Sequence, residues 1–318
     1  MTAVSVKPGD PMSGLVNETA LGPATGSLVT APARSPRTGT WPVAAVTLTL
    51  LGMVLLSLVA DLTVLGGLRH HRDQRVKFDR LRADLANAVA PVGATNFDGR
   101  IYAPGTPIGE LVIPKVGLRQ VFSEGTSANV LIAGPGHRRD TVLPGQAGTS
   151  VLMARRSAFG GPFGSIARLH PGDEIQAVTG QGTQLYRVSA VRRQSQAEDL
   201  RVDASSNRLL LVTAGGAPLI PSNLIVVQAD LVSSVRPTPQ RVIGPAAIAQ
   251  SEQVMASDQH AWVGLVFWLQ GLLAAALGFV FARARWGGWQ AWIVGAPVSA
   301  LLVVQAANQA ALLLPNLT

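Results

Sequence analysis

Hydrophobic residues follow two different patterns along this chain of 318 residues. Near the start and again near the end, they form long stretches with few charges. Between residues 107 and 232 they form short runs, which Gly, Pro, Asn and Asp interrupt. Long apolar stretches predict membrane helices, and short runs bounded by turn residues predict β-strands. The chain is therefore expected to hold a β-rich domain between membrane segments.

The apolar stretches predict one transmembrane helix before the β-rich domain and two after it. They cover residues 41–68, 262–282 and 289–314. Each is long enough to cross a hydrocarbon core of about 30 Å as a helix. The third contains Pro297, Gln305, Asn308 and Gln309, and these polar groups indicate contact with another helix. A re-entrant or interfacial segment is the alternative.

The segments between these parts are less regular. Residues 1–40 are rich in small and polar residues and are expected to be disordered. Residues 69–106 begin as a juxtamembrane helix and end in a linker rich in Pro and Gly. Phe78, Leu81, Leu85 and Val89 recur at helical spacing and give this helix one apolar face. Residues 233–261 are predicted to be a linker back to the membrane.

The β-rich domain is expected at residues 107–232. Its runs are "GELVIP", "VLIAG", "TSVLMA", "DEIQAVTG", "QLYRVSAV", "RLLLVTA" and "NLIVVQADLV". "GPFGSIARL" is the one predicted helical turn among them. Many short strands without long helices predict an antiparallel sandwich or barrel.

Composition narrows the possible functions. The net charge is +8, but much of the basic surplus lies at residues 69–82 beside an apolar stretch, which favours lipid over nucleic acid as the partner. The chain has no cysteine, so disulfides, thiolate metal sites and thiol nucleophiles are excluded. No motif for a metal, nucleotide or dinucleotide is present, and no cofactor is expected.

The stretch "GPGHRRDTVLPGQAGTSVLMARRSAFGGPFGSIARLHPGDEI" resembles the middle of a sortase domain of the actinobacterial class D/E type. Within it, "VLMARRSAFGGPF" matches the family pattern at Arg156, Phe159, Gly160, Pro162 and Phe163. "RLLLVTAGG" and "PSNLIVVQADL" resemble the family's two later strands. The resemblance covers about residues 107–232 and implies a closed β-barrel on the outer side of the membrane. Charge alone does not determine this orientation, because the basic residues at 69–82 would then lie outside.

The resemblance fails at the chemistry. A sortase uses a Cys nucleophile, a His as general acid and base, and an Arg that stabilises developing charge. The corresponding positions here are Ala214, Arg155 and Asn223. A methyl group cannot attack, a guanidinium does not release its proton at neutral pH, and an amide carries no charge. The sequence therefore predicts a degenerate family member without catalysis.

A neighbouring residue could replace the missing nucleophile. Thr213 is expected to face away from Ala214, because successive strand side chains alternate. Ser157 could share the face of Arg155, but it needs a base. His137 is the nearest imidazole in the sequence, and a His137–Asp140 pair is expected to be a local loop contact.

We expect a candidate binding groove at the end of the "RLLLVTA" strand. Its predicted residues are Arg155, Arg156, Ala214, Asn223 and His137. Arg155 would give the groove a fixed positive charge, suited to a carboxylate or another acidic group. The alternative is that Arg155 and Arg156 are solvated residues at a strand end.

The sequence thus favours a multi-pass pseudo-sortase of the plasma membrane. Its extracytoplasmic domain would bind an extended peptide or another envelope or membrane protein, with no role in binding nucleic acid. Two alternatives remain. One is an active transpeptidase or peptidase with a displaced hydroxyl nucleophile, and the other is a structural subunit that acts through its spans.

Overall fold

The computed structural model describes residues 66–195, 206–217, 220–240, 242–286 and 288–318, together with isolated positions between 48 and 60. The predicted tail at 1–40 and most of the first predicted span lie outside the described residues. Eight strands form the domain: β1 Pro107–Ile113, β2 Leu118–Glu124, β3 Gly136–His137, β4 Thr149–Met153, β5 Glu174–Thr179, β6 Gly182–Gln194, β7 Arg208–Ala217 and β8 Ile220–Leu231. Four helices accompany them: α1 Gly66–Ala86, α2 Ala128–Ile132, α3 Ala261–Trp286 and α4 Gly288–Leu313.

The strands close into a barrel in the order β1-β2-β3-β4-β7-β8-β6-β5. The predicted mostly β fold with a closed barrel is confirmed. Six of the eight contacts around the barrel are antiparallel, while β2–β3 and β4–β7 are parallel. The expectation of a purely antiparallel sheet was therefore wrong, because alternation along a strand does not encode the direction of its neighbour.

Strands β7 and β8 separate two clusters of buried side chains. Leu209, Leu211 and Ile225 belong to the main core of the barrel, together with Phe122 and Phe163. The intervening residues of the same strands point the other way and form the Ala214 face. We define this face as Val151, Met153, Leu210, Val212, Ala214, Leu224 and Val226, all of which are buried.

Two local predictions need correction. The run "VLIAG" was expected to be a strand, but Ala128–Ile132 is a short helix that follows Ser127, and its Leu131 packs with the Ala214 face. A run of four apolar residues fits a buried helical turn as well as a strand. The helical turn predicted in "GPFGSIARL" is a 3₁₀ helix at Ile166–Arg168.

The segment after the barrel packs on the domain instead of forming a free linker. It contains 3₁₀ helices at Pro245–Ala247 and Gln250–Glu252. Glu252 is buried, and its carbonyl oxygen accepts a hydrogen bond from Thr126 Oγ1. Hydrophobicity alone did not predict this docking, since polar contacts carry much of it.

Helices α3 and α4 form a hairpin. Among the described residues, they are the two helices long and apolar enough to cross a membrane, over Ala261–Arg283 and Trp289–Leu313. Gly264 and Gly295 allow close packing, because a Cβ atom at either would clash with Gln309 or Phe279 of the opposite helix. Both ends of the hairpin that border the domain therefore lie on the same side, as helix α3 leaves and helix α4 returns.

Candidate functional site

The loop after β4 and the end of β7 lie side by side. Parallel pairing places Met153 beside Val212, and the Ala154 amide donates to the Val212 carbonyl oxygen at 3.2 Å. Arg156 Nη1 then donates to the carbonyl oxygen of Gly216 at 2.6 Å. The predicted positions 155, 156 and 214 are thus brought together at this edge of the barrel.

Ala214 is 3% exposed and lies in the apolar Ala214 face. Its neighbour Thr213 is buried on the opposite side of the strand, where its Oγ1 donates to the Ala154 carbonyl oxygen at 2.8 Å. Because that hydroxyl hydrogen is already committed to a backbone oxygen, Thr213 is not placed to act as a nucleophile beside Ala214.

Asn223 lies opposite Gly215 in the β7–β8 ladder. A Cβ atom at Gly215 would lie too close to Asn223 Oδ1, so glycine leaves the space that this side chain fills. The amide of Asn223 therefore folds over the β7 backbone, one residue from Ala214. It offers this site a neutral polar group where a cation would be needed to stabilise an oxyanion.

Arg155 is fully buried, and this excludes the alternative that it is a solvated residue. Its three guanidinium nitrogens have no hydrogen-bond partner among the described residues. The guanidinium carbon lies 5.1 Å from the centre of the Phe159 ring, a distance that suits a cation–π contact. Burial lowers the pKa of Arg155 to about 10, so it stays charged at neutral pH.

His137 lies apart from these residues, on β3. One ring nitrogen, Nδ1, lies 3.1 Å from Glu124 Oε2, and Nε2 lies 3.0 Å from the Val142 carbonyl oxygen. Asp140, the partner expected from the sequence, instead accepts a hydrogen bond from Arg138 Nη2 at 2.8 Å. Glu124 was missed in the sequence because thirteen residues separate it from His137, and parallel pairing of β2 with β3 brings them together.

A hydroxyl, an imidazole and a carboxylate therefore do line up, as Thr141, His137 and Glu124. Thr141 Oγ1 lies 3.1 Å from His137 Nε2, but it donates its one hydrogen to the Arg138 carbonyl oxygen at 2.7 Å. The Val142 carbonyl oxygen also requires a hydrogen on Nε2, because a carbonyl only accepts. The imidazole is thus a donor toward Thr141, the reverse of what a general base needs.

Ser157, the other hydroxyl predicted from the sequence, is exposed in the loop after β4. Its neighbours Arg155, Ala158 and Phe159 are buried. Among the described residues, no hydrogen bond joins Ser157 to an imidazole, and no group of three or more His, Cys, Asp or Glu residues is placed to hold a metal ion. The site is therefore an apolar face bordered by one buried cation.

Comparisons with known proteins agree with this barrel. Residues 111–232 match the family model of the sortase domain. Among solved structures, the Clostridium perfringens Sortase D5 transpeptidase is 19% identical, with a TM-score of 0.45, covering 51% of this chain and 99% of its own. Sortase E from Streptomyces avermitilis is 27% identical, with a TM-score of 0.37, covering 42% of this chain and 91% of its own. No curated protein matches this chain.

Proposed function

Residues 111–232 form a domain of the sortase family, a family of transpeptidases, and we propose that in this chain it is a binding module without catalysis. The observation that carries the proposal is the methyl group of Ala214 at the nucleophile position, on a buried apolar face. Arg155 at the proton-transfer position supports it, because a guanidinium with a pKa of about 10 does not exchange protons at neutral pH.

The module acts as a membrane-held scaffold that binds a peptide or a protein of the cell envelope. Arg155 supplies the specificity, since a buried guanidinium without partners is stabilised by any carboxylate or carbonyl oxygen that reaches it. Apolar residues around it supply the contact area. We therefore expect a ligand that combines apolar side chains with exposed acceptor groups.

We also propose that the barrel lies on the outer side of the membrane. Helices α3 and α4 carry Arg283 and Arg285 at the turn of the hairpin, the end remote from the barrel. Basic residues favour the cytoplasmic side, so this turn would be inside. Reporter fusions after residues 100 and 287 test the arrangement: position 100 should report from outside and position 287 from inside.

Activity is tested with the purified full chain in detergent, peptides that carry a sorting signal and an amine acceptor. The Streptomyces avermitilis sortase E serves as the positive control. We expect no cleaved or transferred product from this chain. Product that disappears with Ser157→Ala or His137→Ala would contradict the proposal and support a displaced hydroxyl nucleophile.

Binding is tested by recovery of envelope proteins on the immobilised full chain, compared with its Arg155→Met variant. The variant keeps the length and apolar stem of the side chain but lacks the charge. We expect the variant to lose partners that present acidic groups. Equal recovery of every partner would contradict the role given to Arg155.

A further inference from the structure

The chain returns to the barrel after helix α4. Residues 314–318, Leu-Pro-Asn-Leu-Thr, follow the helix directly, and we call them the tail. Asn316 is fully buried, and its Nδ2 donates to the carbonyl oxygens of Thr126 at 3.0 Å and Gln253 at 2.8 Å. Its backbone amide donates to the Ala256 carbonyl oxygen at 2.9 Å. These three bonds hold the tail at one end of the Ala214 face.

Leu317 is the centre of the contact. Its side chain is fully buried in the same cluster as Ala214, Val212 and Leu210. Its carbonyl oxygen accepts a hydrogen bond from the Arg156 amide at 3.0 Å. A backbone bond together with a side chain in an apolar pocket is the usual way in which a domain binds a peptide.

The remaining residues of the tail complete this arrangement. Thr318 folds back so that its amide and its Oγ1 both donate to the Pro315 carbonyl oxygen, at 3.1 and 2.7 Å. Leu314 and Ala311 pack with Phe159, the ring beside the Arg155 guanidinium. The end of α4 and the tail therefore cover both of the positions that a sortase would use for chemistry, 155 and 214.

We infer that the Ala214 face is a peptide-binding site whose resident ligand is the chain's own tail. Its ligand class is a short turned peptide with an Asn that donates to backbone carbonyls and a following Leu that fills an apolar pocket. Because the tail is attached to the hairpin, its effective concentration at the site is on the order of millimolar, and weaker peptides in solution are excluded. The inference rests on the proposed binding function, and it adds that the site is closed in cis.

Accessibility of position 214 tests the inference. The chain has no cysteine, so Ala214→Cys creates a single thiol in the full chain. In detergent, this thiol should react slowly with a maleimide while the tail covers it. Adding Leu317→Ala should raise the labelling rate about tenfold or more, because the truncated side chain no longer fills the pocket. Adding Leu273→Ala, an exposed leucine on α3, should leave the rate unchanged.

A second thiol separates local opening from unfolding. Ala229→Cys lies in the main core of the barrel and should stay unreactive when Leu317→Ala is added. If both thiols become reactive, the peptide Leu-Pro-Asn-Leu-Thr is added in excess: renewed protection of position 214, absent with a scrambled peptide, supports the inference, and no protection overturns it. An unchanged rate at position 214 with Leu317→Ala also overturns it. This readout is access to a thiol, so it stands apart from the proposed function, which fails if the unmodified chain turns over a substrate.

Discussion

Two buried basic side chains of this domain have opposite surroundings. His137 is 2% exposed, and both ring nitrogens face acceptors. Arg155 is 0% exposed, and its nitrogens have no partner among the described residues. A buried polar group is stabilised when its partners are in place, and it costs free energy when they are missing.

This difference separates structure from function. The His137 network ties β2, β3 and the following loop together, so it explains its own presence through stability. Arg155 has no such explanation in the folded chain, because an apolar side chain would fill the same space at lower cost. A side chain that destabilises the fold and borders a peptide-sized face is the better candidate for recognition.

Breaking the His137 network should have the largest effect. With His137→Ala, Glu124 keeps only Arg139, whose Nε lies 4.0 Å from Oε1. An uncompensated buried carboxylate is expected to lower the free energy of unfolding by about 3 kcal/mol. Hydrogen exchange of the β7 amides in the full chain measures the loss. His170→Ala, an exposed residue, is the control and should change little. A loss no larger than that control would show that the network does not stabilise the barrel.

Removing the charge of Arg155 should act in the opposite direction. Arg155→Met keeps the apolar stem and removes the unpaired guanidinium, so stability should rise by about 1 kcal/mol even after the contact with Phe159 is lost. Arg156→Met is the matched control, and it should lower stability because it breaks the hydrogen bond to Gly216. The same exchange measurement applies. A decrease with Arg155→Met as large as with Arg156→Met would remove the contrast between the two sites.

The sequence predicted the barrel and the alternation of β7, and it did so for clear reasons. Short runs between turn residues predict strands, and the period of two separates Thr213 from Ala214. It could not predict the partner of His137, since Glu124 is distant in sequence and a parallel pair brings it close. It also left Arg155 open between a groove and a solvated strand end, because burial depends on what packs over the loop.

The tail escaped sequence analysis for a related reason. Leu-Pro-Asn-Leu-Thr after an apolar helix predicts only that Pro315 ends the helix. Its docking depends on the hairpin, which carries residue 314 back to the side where residue 261 begins. Only the fold combines the length of two helices with the position of the Ala214 face.

A third buried basic side chain, His70, sharpens the comparison because an imidazole, unlike Arg155, can lose its charge. His70 is 1% exposed on α1 and lies against Gly160, in the loop that contains Arg155. Burial lowers the pKa of His70 below its usual value of 6.5, outweighing hydrogen bonds toward Gln120 and Ile132. The folded chain therefore holds this imidazole neutral at a pH where the unfolded chain binds a proton.

The sign of the pH dependence follows from this shift. Stability should be complete above pH 6.5 and should fall as the pH is lowered from 6.5 toward the pKa of the folded state, because only the unfolded chain gains the proton in that interval. Exchange of the α1 amides between pH 7.5 and 5.5 measures this. His70→Leu should flatten the profile, whereas His71→Leu, at an exposed position, should leave it as it is. If His70→Leu kept the full pH dependence, some other group would couple α1 to the loop, and burial alone would not distinguish an imidazole that adapts from a guanidinium that cannot.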